Sequence, residues 1–253
     1  MFLCESSALA VYNRAVMESG PCRVLAVDDD PVSLAVTALL LEAEGCAVLQ
    51  AQSGEAALEI AAAHDPDCVL ADLRMPGLSS TELALSLRQV VPRARLFAMS
   101  ATPPPHLEGY DGVLKKPLSP ENLQAAIAGP GSVAVTDTVP ESMPGGDGAI
   151  DREIFHRLLK SIQAAGVEEI YGVFLHDTRE RLAAMRAAES GTIRREAHTI
   201  KGGAGMVGAL LVARAAAQLE AGIDDPGDRL RKLEEIAAHC RTTEIILKQR
   251  LNP

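Results

Sequence analysis

Between Gly129 and Ala149 the chain reads GPGSVAVTDTVPESMPGGDGA, with five glycines, three prolines and no lysine, arginine or aromatic residue. Such a segment buries too little apolar surface to offset the entropy of ordering it. A chain of 253 residues interrupted there folds as two units of about 100 residues each, an ordinary domain size, rather than around one large core. The expected organisation is an N-terminal extension over 1–21, a first domain over 22–128, a flexible Gly/Pro-rich linker over 129–149 and a second domain over 150–253. As a flexible coil the linker would span roughly 25 Å.

The hydrophobic period changes across that linker. Before it, short apolar runs alternate with helical stretches: Arg23–Val27 then Val32–Glu44, Ala47–Ala51 then Glu55–His64, Cys68–Ala71 then Thr81–Val90, Leu96–Met99, and Gly112–Leu114 then Glu121–Ala128. Near-continuous apolar strands separated by helices predict an α/β, doubly wound, five-stranded parallel sheet covered on both faces. Asp30-Pro31, Ser53-Gly54 and Ser119-Pro120 supply start signals for three of the helices. After the linker only helical spacing remains, over Ile150–Ala164, Val167–Ala188, Thr192–Val207, Ala209–Ala221 and Asp228–Leu251. Short connections such as Gly166, Ser190-Gly191 and Asp225-Pro226-Gly227 predict an all-α antiparallel bundle.

Composition narrows the function. With 24 Lys+Arg against 34 Asp+Glu the formal charge is −10, which repels phosphate backbones and argues against nucleic-acid binding. The five cysteines, Cys4, Cys22, Cys46, Cys68 and Cys240, are scattered without a Cys-x-x-Cys pair, so neither a disulfide framework nor a thiolate zinc site is expected, and the compartment reads as cytoplasmic. The first twenty residues lack a basic segment ahead of an apolar one, unlike a signal peptide. No apolar run reaches the roughly 18 residues of a membrane span, and no membrane insertion is expected.

In an open parallel sheet, chemistry gathers at the carboxyl ends of the strands. Asp28, Asp29 and Asp30 end the first strand, Asp72 the third, Ser100 the fourth, and Lys116 follows the fifth. Each residue alone reads equally well as a solvated turn or surface charge; joint placement at four of five strand ends points to chemistry. Carboxylates from neighbouring strand ends form an oxygen cage suited to Mg²⁺. An opposing hydroxyl and ammonium would bind the oxygens of a phosphoryl group carried on one carboxylate.

With Leu70-Ala71-Asp72-Leu73-Arg74-Met75-Pro76-Gly77, this layout resembles a response-regulator receiver domain over about 22–128, which implies a flavodoxin-like fold. By that resemblance Asp72 would be the phosphoacceptor, with Asp28 and Asp29 forming the acidic pocket. Mg²⁺ would be held by Asp29, Asp72 and the backbone carbonyl of Arg74, with Asp28 a further candidate ligand; Ser100 and Lys116 would contact phosphoryl oxygens. Two departures carry expectations. The segment ATPPPHLEGYDGVLKK, 101–116, is shorter than the family's, and its prolines cannot propagate a helix, so the fourth helix should be shortened or missing. Val113 stands where the family places an aromatic switch residue, with Tyr110 out of step, which puts the usual switching route in doubt but not the phosphorylation chemistry.

In the second domain Ala197-His198-Thr199-Ile200-Lys201-Gly202-Gly203-Ala204-Gly205 lies on one helix. Glycine inside a helix is unfavourable by about 1 kcal/mol relative to alanine, so three within four positions point to a surface made for close approach. At 3.6 residues per turn His198, Lys201, Gly202 and Gly205 share a face, placing an imidazole and a cation above a bare stripe. The run from Ala197 to Ala209, with Phe174-Leu175-His176-Asp177 and Leu219-Glu220, resembles the histidine-containing phosphotransfer (HPt) domain over about 150–253. That resemblance implies phosphorylation of His198, supported by Lys201, Gly202 and Gly205.

Together these readings predict a phosphorelay intermediate that accepts a phosphoryl group on Asp72 and carries one on His198. No Gly-rich ATP lid or Walker-A loop occurs in the sequence, so a sensor histidine kinase, stand-alone or hybrid, is expected upstream, with other receiver or HPt proteins as further partners. Because the linker tethers both sites, transfer within one chain is as compatible with the sequence as transfer to separate partners. The alternative is a non-catalytic regulator acting by protein–protein docking; the retained Asp28, Asp29, Asp72, Ser100 and Lys116 argue against it. An aspartate-nucleophile phosphatase would need a second Asp two residues after the first, and that position is Arg74.

Overall fold

The computed structural model describes residues 21–100, 102–104, 107–116, 118, 120–128, 148–222 and 225–251. The extension over 1–20, most of the linker (129–147) and Ser119 lie outside the described residues. The chain divides into two compact units, each built as its hydrophobic period dictates.

The first unit is a five-stranded sheet of order β2-β1-β3-β4-β5, parallel throughout. Its strands are β1 (Arg23–Val27), β2 (Ala47–Ala51), β3 (Cys68–Asp72), β4 (Arg95–Ser100) and β5 (Gly112–Lys115). The helices are α1 (Pro31–Ala43), α2 (Gly54–His64), α3 (Ser80–Val90) and α4 (Pro120–Ala128). All but the first residue of β1 and all but the last of β3 are buried, the signature of central strands covered on both faces. Leu25, Val27, Val69 and Leu96 pack against Leu83 and Leu87 of α3 in one cluster.

Local chemistry sets the helix starts. The Asp30 carboxylate accepts from the Val32 N–H at 3.0 Å, ahead of Pro31 in the first turn. Ser53 accepts from the Ala56 N–H at 3.2 Å. Ser79 and Glu82 close a reciprocal capping box at α3.

Among the described residues between β4 and β5 none is helical, as the prolines led one to expect. The loop is instead fastened to α3. Arg88 donates from Nε to the Gly109 carbonyl at 3.2 Å and from Nη1 to the Ala94 carbonyl at 2.9 Å, and pairs with Asp111 at 2.7 Å. The Tyr110 hydroxyl donates to the Ser80 carbonyl at 3.1 Å. Gly109 has φ +86°, and a Cβ there would stand 2.8 Å from the Ala84 Cβ, so only glycine brings the loop this close.

The second unit contains α5 (Arg152–Met185), α6 (Ser190–Val207), α7 (Leu210–Glu220) and α8 (Pro226–Leu251). The sequence predicts two helices, Ile150–Ala164 and Val167–Ala188, and α5 does consist of two helical segments; they meet across non-helical backbone at Gln163, φ 59° and ψ −178°, three residues before Gly166. Gly166 is buried within the helix, and a Cβ there would stand 2.9 Å from the Ile162 Cβ; the glycine serves close approach across the kink. Asp151 caps α5 through the N–H groups of Glu153 and Ile154. The Asp151 N–H donates to the carbonyl of Gly208, which ends α6 in the left-handed conformation. Tyr171 adds a buried hydroxyl bond to the Val207 carbonyl. These contacts fix the end of the histidine-bearing helix.

Candidate functional site

At the carboxyl ends of β1, β3 and β5 the structure brings together Asp28, Asp29, Asp72 and Lys116. Asp28 follows β1 directly and is 2% exposed; its N–H donates to the Ala51 carbonyl at 3.1 Å. Asp72 is the last residue of β3, in register with Met99. Lys116 follows β5, and its N–H donates to the Ser100 carbonyl at 2.8 Å. The register of five parallel strands therefore converts positions scattered over about ninety residues into one pocket.

The Lys116 Nζ lies 2.6 Å from Asp28 Oδ2 and 2.6 Å from Asp72 Oδ1. The other Asp72 oxygen, Oδ2, accepts from the Arg74 N–H at 2.8 Å. Burial alone would pull the Lys116 ammonium down, but the charges of Asp28 and Asp72 and their hydrogen bonds outweigh it and hold it above its ordinary value. Partial burial, then the adjacent charge of Asp28, raises the Asp29 carboxyl. Tyr110 is pushed up to about 12 by burial and by the charge of Asp72. Removing the cation from such a pair would leave Asp28 buried and unpartnered by Lys116, a change that costs about 3–5 kcal/mol in comparable sites.

One oxygen from each of Asp28, Asp29 and Asp72 lies within 4.8 Å of the others. Three hard oxygen donors clustered so closely suit a small divalent cation and offer nothing to a soft metal. Arg74 meets Asp72 through its N–H. The Ser100 hydroxyl is engaged with the Thr102 backbone, donating to the carbonyl at 3.1 Å and accepting from the N–H at 3.2 Å.

The second site is on the α6–α7 hairpin. His198 Nδ1 lies 2.6 Å from Glu220 Oε1, and Lys201 Nζ lies 2.6 Å from Glu220 Oε2. Hydrogen bonds from Lys201 and then His198 hold the Glu220 carboxyl below its ordinary value. An ionised carboxylate only accepts, so this contact suits a proton on Nδ1. The His198 side chain is 55% exposed. Gly202 and Gly205 are exposed as well, and nothing lies within 4 Å of where a Cβ would stand on either. The role of Glu220 is the part the sequence did not disclose: Leu219-Glu220 marks a resemblance, but only the antiparallel hairpin shows the carboxylate bridging His198 and Lys201.

The fold defines a class before any comparison does: a parallel α/β domain with a lysine-bridged acidic pocket, and a helical domain carrying an oriented, exposed histidine. Residues 24–128 match the response regulator receiver domain, and 169–248 match the Hpt domain. The chain therefore holds a response regulator receiver domain followed by an Hpt domain. The nitrate/nitrite response regulator protein NarL of Escherichia coli is 33% identical over 117 residues, 42% of this chain and 53% of NarL. The sensor histidine kinase AruS of Pseudomonas aeruginosa is 28% identical over 242 residues, covering 86% of this chain and 23% of AruS. Among solved structures, chemotaxis protein CheY4 of Vibrio cholerae aligns at 26% identity and a TM-score of 0.39, over 41% of this chain and 93% of CheY4. The chain spans about half the length of NarL. Neither matched domain is a kinase domain, and among the described residues no helix is long and apolar enough to cross a membrane.

Proposed function

We propose that this protein is a phosphorelay intermediate that accepts a phosphoryl group on Asp72 and carries one on His198. The observation that carries the reading is the pairing of Lys116 with both Asp28 and Asp72 at 2.6 Å. It holds the acceptor carboxylate in the pocket and supplies positive charge where phosphoryl oxygens would gather.

An oxygen of Asp72 attacks the phosphorus of a partner's phosphohistidine in line; a P–O bond forms, the P–N bond breaks, and the departing imidazole takes a proton from solvent. Mg²⁺ held by Asp28, Asp29, Asp72 and the Arg74 carbonyl would neutralise charge between the nucleophile and the incoming phosphoryl group. Lys116 moves from bridging two carboxylates to contacting phosphoryl oxygen, and Ser100 exchanges its Thr102 bonds for another. On the helical domain Glu220 holds His198 Nδ1–H, leaving Nε2 as the attacking atom, while Lys201 screens the charge in transit. Gly202 and Gly205 leave room for a partner's loop. The partners this reading requires are a sensor histidine kinase, stand-alone or hybrid, and other receiver or HPt proteins.

The test is incubation of the full chain with a small phosphodonor and Mg²⁺, then with a phosphorylated partner receiver. Wild type should gain a base-labile acyl phosphate that is lost in Asp72→Asn and on chelation of the metal. It should also gain a base-stable phosphohistidine that is lost in His198→Gln. Equal labelling of wild type and both variants would overturn the reading.

A further inference from the structure

The sequence scatters five cysteines without a motif, yet the sheet brings two of them side by side. Cys22 immediately precedes β1 and Cys46 immediately precedes β2, whose ladder begins at Arg23↔Ala47. The Ala47 N–H donates to the Cys22 carbonyl at 2.9 Å, so the two backbones are already paired at the cysteines. Residues at matching positions of adjacent parallel strands point to the same face, with strands roughly 4.7–4.9 Å apart, inside the separation a disulfide spans. Each of the two thiols is the leading influence on the other's ionisation. Both cysteines are free and partly exposed, whereas Cys68 and Cys240 are free and buried.

We propose that Cys22 and Cys46 form a reversible dithiol–disulfide site at the amino-terminal edge of the receiver sheet, oxidised by hydroperoxides. Interaction with Cys46 lowers the Cys22 thiol, which Arg95 further favours as thiolate although burial and Asp67 oppose it. Cys46 is shifted the other way, by Cys22 and by burial. Burial keeps Cys68 at about 12 and Cys240 at about 11, so both stay inert near neutral pH.

The Cys22 thiolate attacks the peroxide. An S–O bond forms, the O–O bond breaks, and the leaving oxygen departs as an alcohol or water after protonation. Cys46 sulfur then attacks the Cys22 sulfenic acid: the S–S bond forms, the S–O bond breaks, and water leaves with the Cys46 proton. Two electrons pass from the sulfurs to the peroxide, and a dithiol reductant returns them. The bond closes the loop from 22 to 46, which carries β1, α1 and two of the pocket's acidic residues, Asp28 and Asp29. Cys22 itself stands six residues, roughly 20 Å of strand, from Asp28. Oxidation therefore acts through the base of β1 and β2, and the site stands independently of any role of Asp72 or His198.

The test treats the full-length reduced protein with a small excess of hydrogen peroxide at neutral pH, blocks remaining thiols and maps the peptides. A Cys22–Cys46 crosslink reversed by dithiothreitol is expected, with a melting temperature above that of the reduced protein. Cys46→Ser should lose the crosslink and accumulate sulfenic or sulfinic acid on Cys22. Cys22→Ser should consume peroxide about tenfold more slowly or less, because no activated thiolate remains. Absence of the crosslink in wild type, its formation instead from Cys22 to Cys4, Cys68 or Cys240, or failure of dithiothreitol to reverse it would each overturn the proposal.

Discussion

Glu220 illustrates how much depends on a side chain that no local motif announces. It is separated by 22 residues from His198, yet its two oxygens take one imidazole nitrogen and one ammonium. If it fixes the tautomer, Glu220→Gln should leave His198 in place but slow its phosphorylation by about tenfold or more, because an amide can hold either nitrogen state. A merely structural role would not move the pH–rate profile; loss of the carboxylate should shift its acid limb, which a rate series on both proteins reads directly. The same carboxylate predicts a stability effect. Its folded pKa is depressed by Lys201 and His198, so its contribution is present above the ordinary carboxylate value of about 4.3 and is lost as pH falls through the lower folded value. Acid melts of wild type should lose that component below about pH 4, and melts of Glu220→Gln should lack it. By contrast, Asp72 and Lys116 are legible as candidates from their strand-end positions alone, because a parallel sheet places every strand's carboxyl end on one edge. What the sequence could not show is that a single ammonium bridges Asp28 and Asp72, since the register between β1, β3 and β5 is a long-range property.

At the scale of elements, the boundaries of β1 and β2 follow directly from apolar runs bounded by polar residues. The helix starts follow from their caps, with the one-residue differences expected where a cap and a first turn meet. The break in α5 was legible to within a few residues: Gly166 reads as the connection, whereas the non-helical residue is Gln163 and packing beside Ile162 makes Gly166 a contact. The α6 glycines separate two reasons for bareness. Gly208 ends the helix at φ +74°, and a Cβ there would stand 3.1 Å from Asp151 and Ile154, so it is fixed by the fold. Gly202 and Gly205 meet nothing within 4 Å, so the fold does not require them. Replacing both by alanine should therefore stabilise α6, by roughly 0.5–1 kcal/mol per site from helix propensity. If the stripe is kept bare for a partner's loop, the same double variant should accept phosphoryl groups from a partner receiver several-fold more slowly. Thermal melting and transfer rates on one preparation test both, and unchanged or faster transfer would remove the stripe from the partner surface.

Across the whole molecule, charge is unevenly held. Of the formal −10, residues 22–128 carry −7 and residues 150–253 carry +1. The first unit concentrates carboxylates at its pocket, while the second keeps Arg194, Arg195 and Lys201 within a turn or so of His198. Arg194 and Arg195 are exposed, and Arg195 makes only a local side-chain bond, to Thr192 at 3.2 Å, among those resolved at this end of α6. Exposed guanidinium groups of this kind add little to stability; their effect is expected on encounter with a partner whose own acceptor sits in an acidic pocket. Rim charges chiefly alter association rates, and they do so in a salt-dependent way. Arg194→Glu combined with Arg195→Glu should therefore leave the melting temperature nearly unchanged while slowing phosphoryl transfer to His198 by about tenfold at low salt. The gap from wild type should close as ionic strength rises and the screening length contracts from about 30 Å at 0.01 M to about 8 Å at 0.15 M. Stopped-time transfer assays at the two salt concentrations decide it. Equal rates at low salt would show that the arginines do not steer the partner. A deficit that persists undiminished at high salt would instead assign them a direct contact with the phosphoryl group or its pocket.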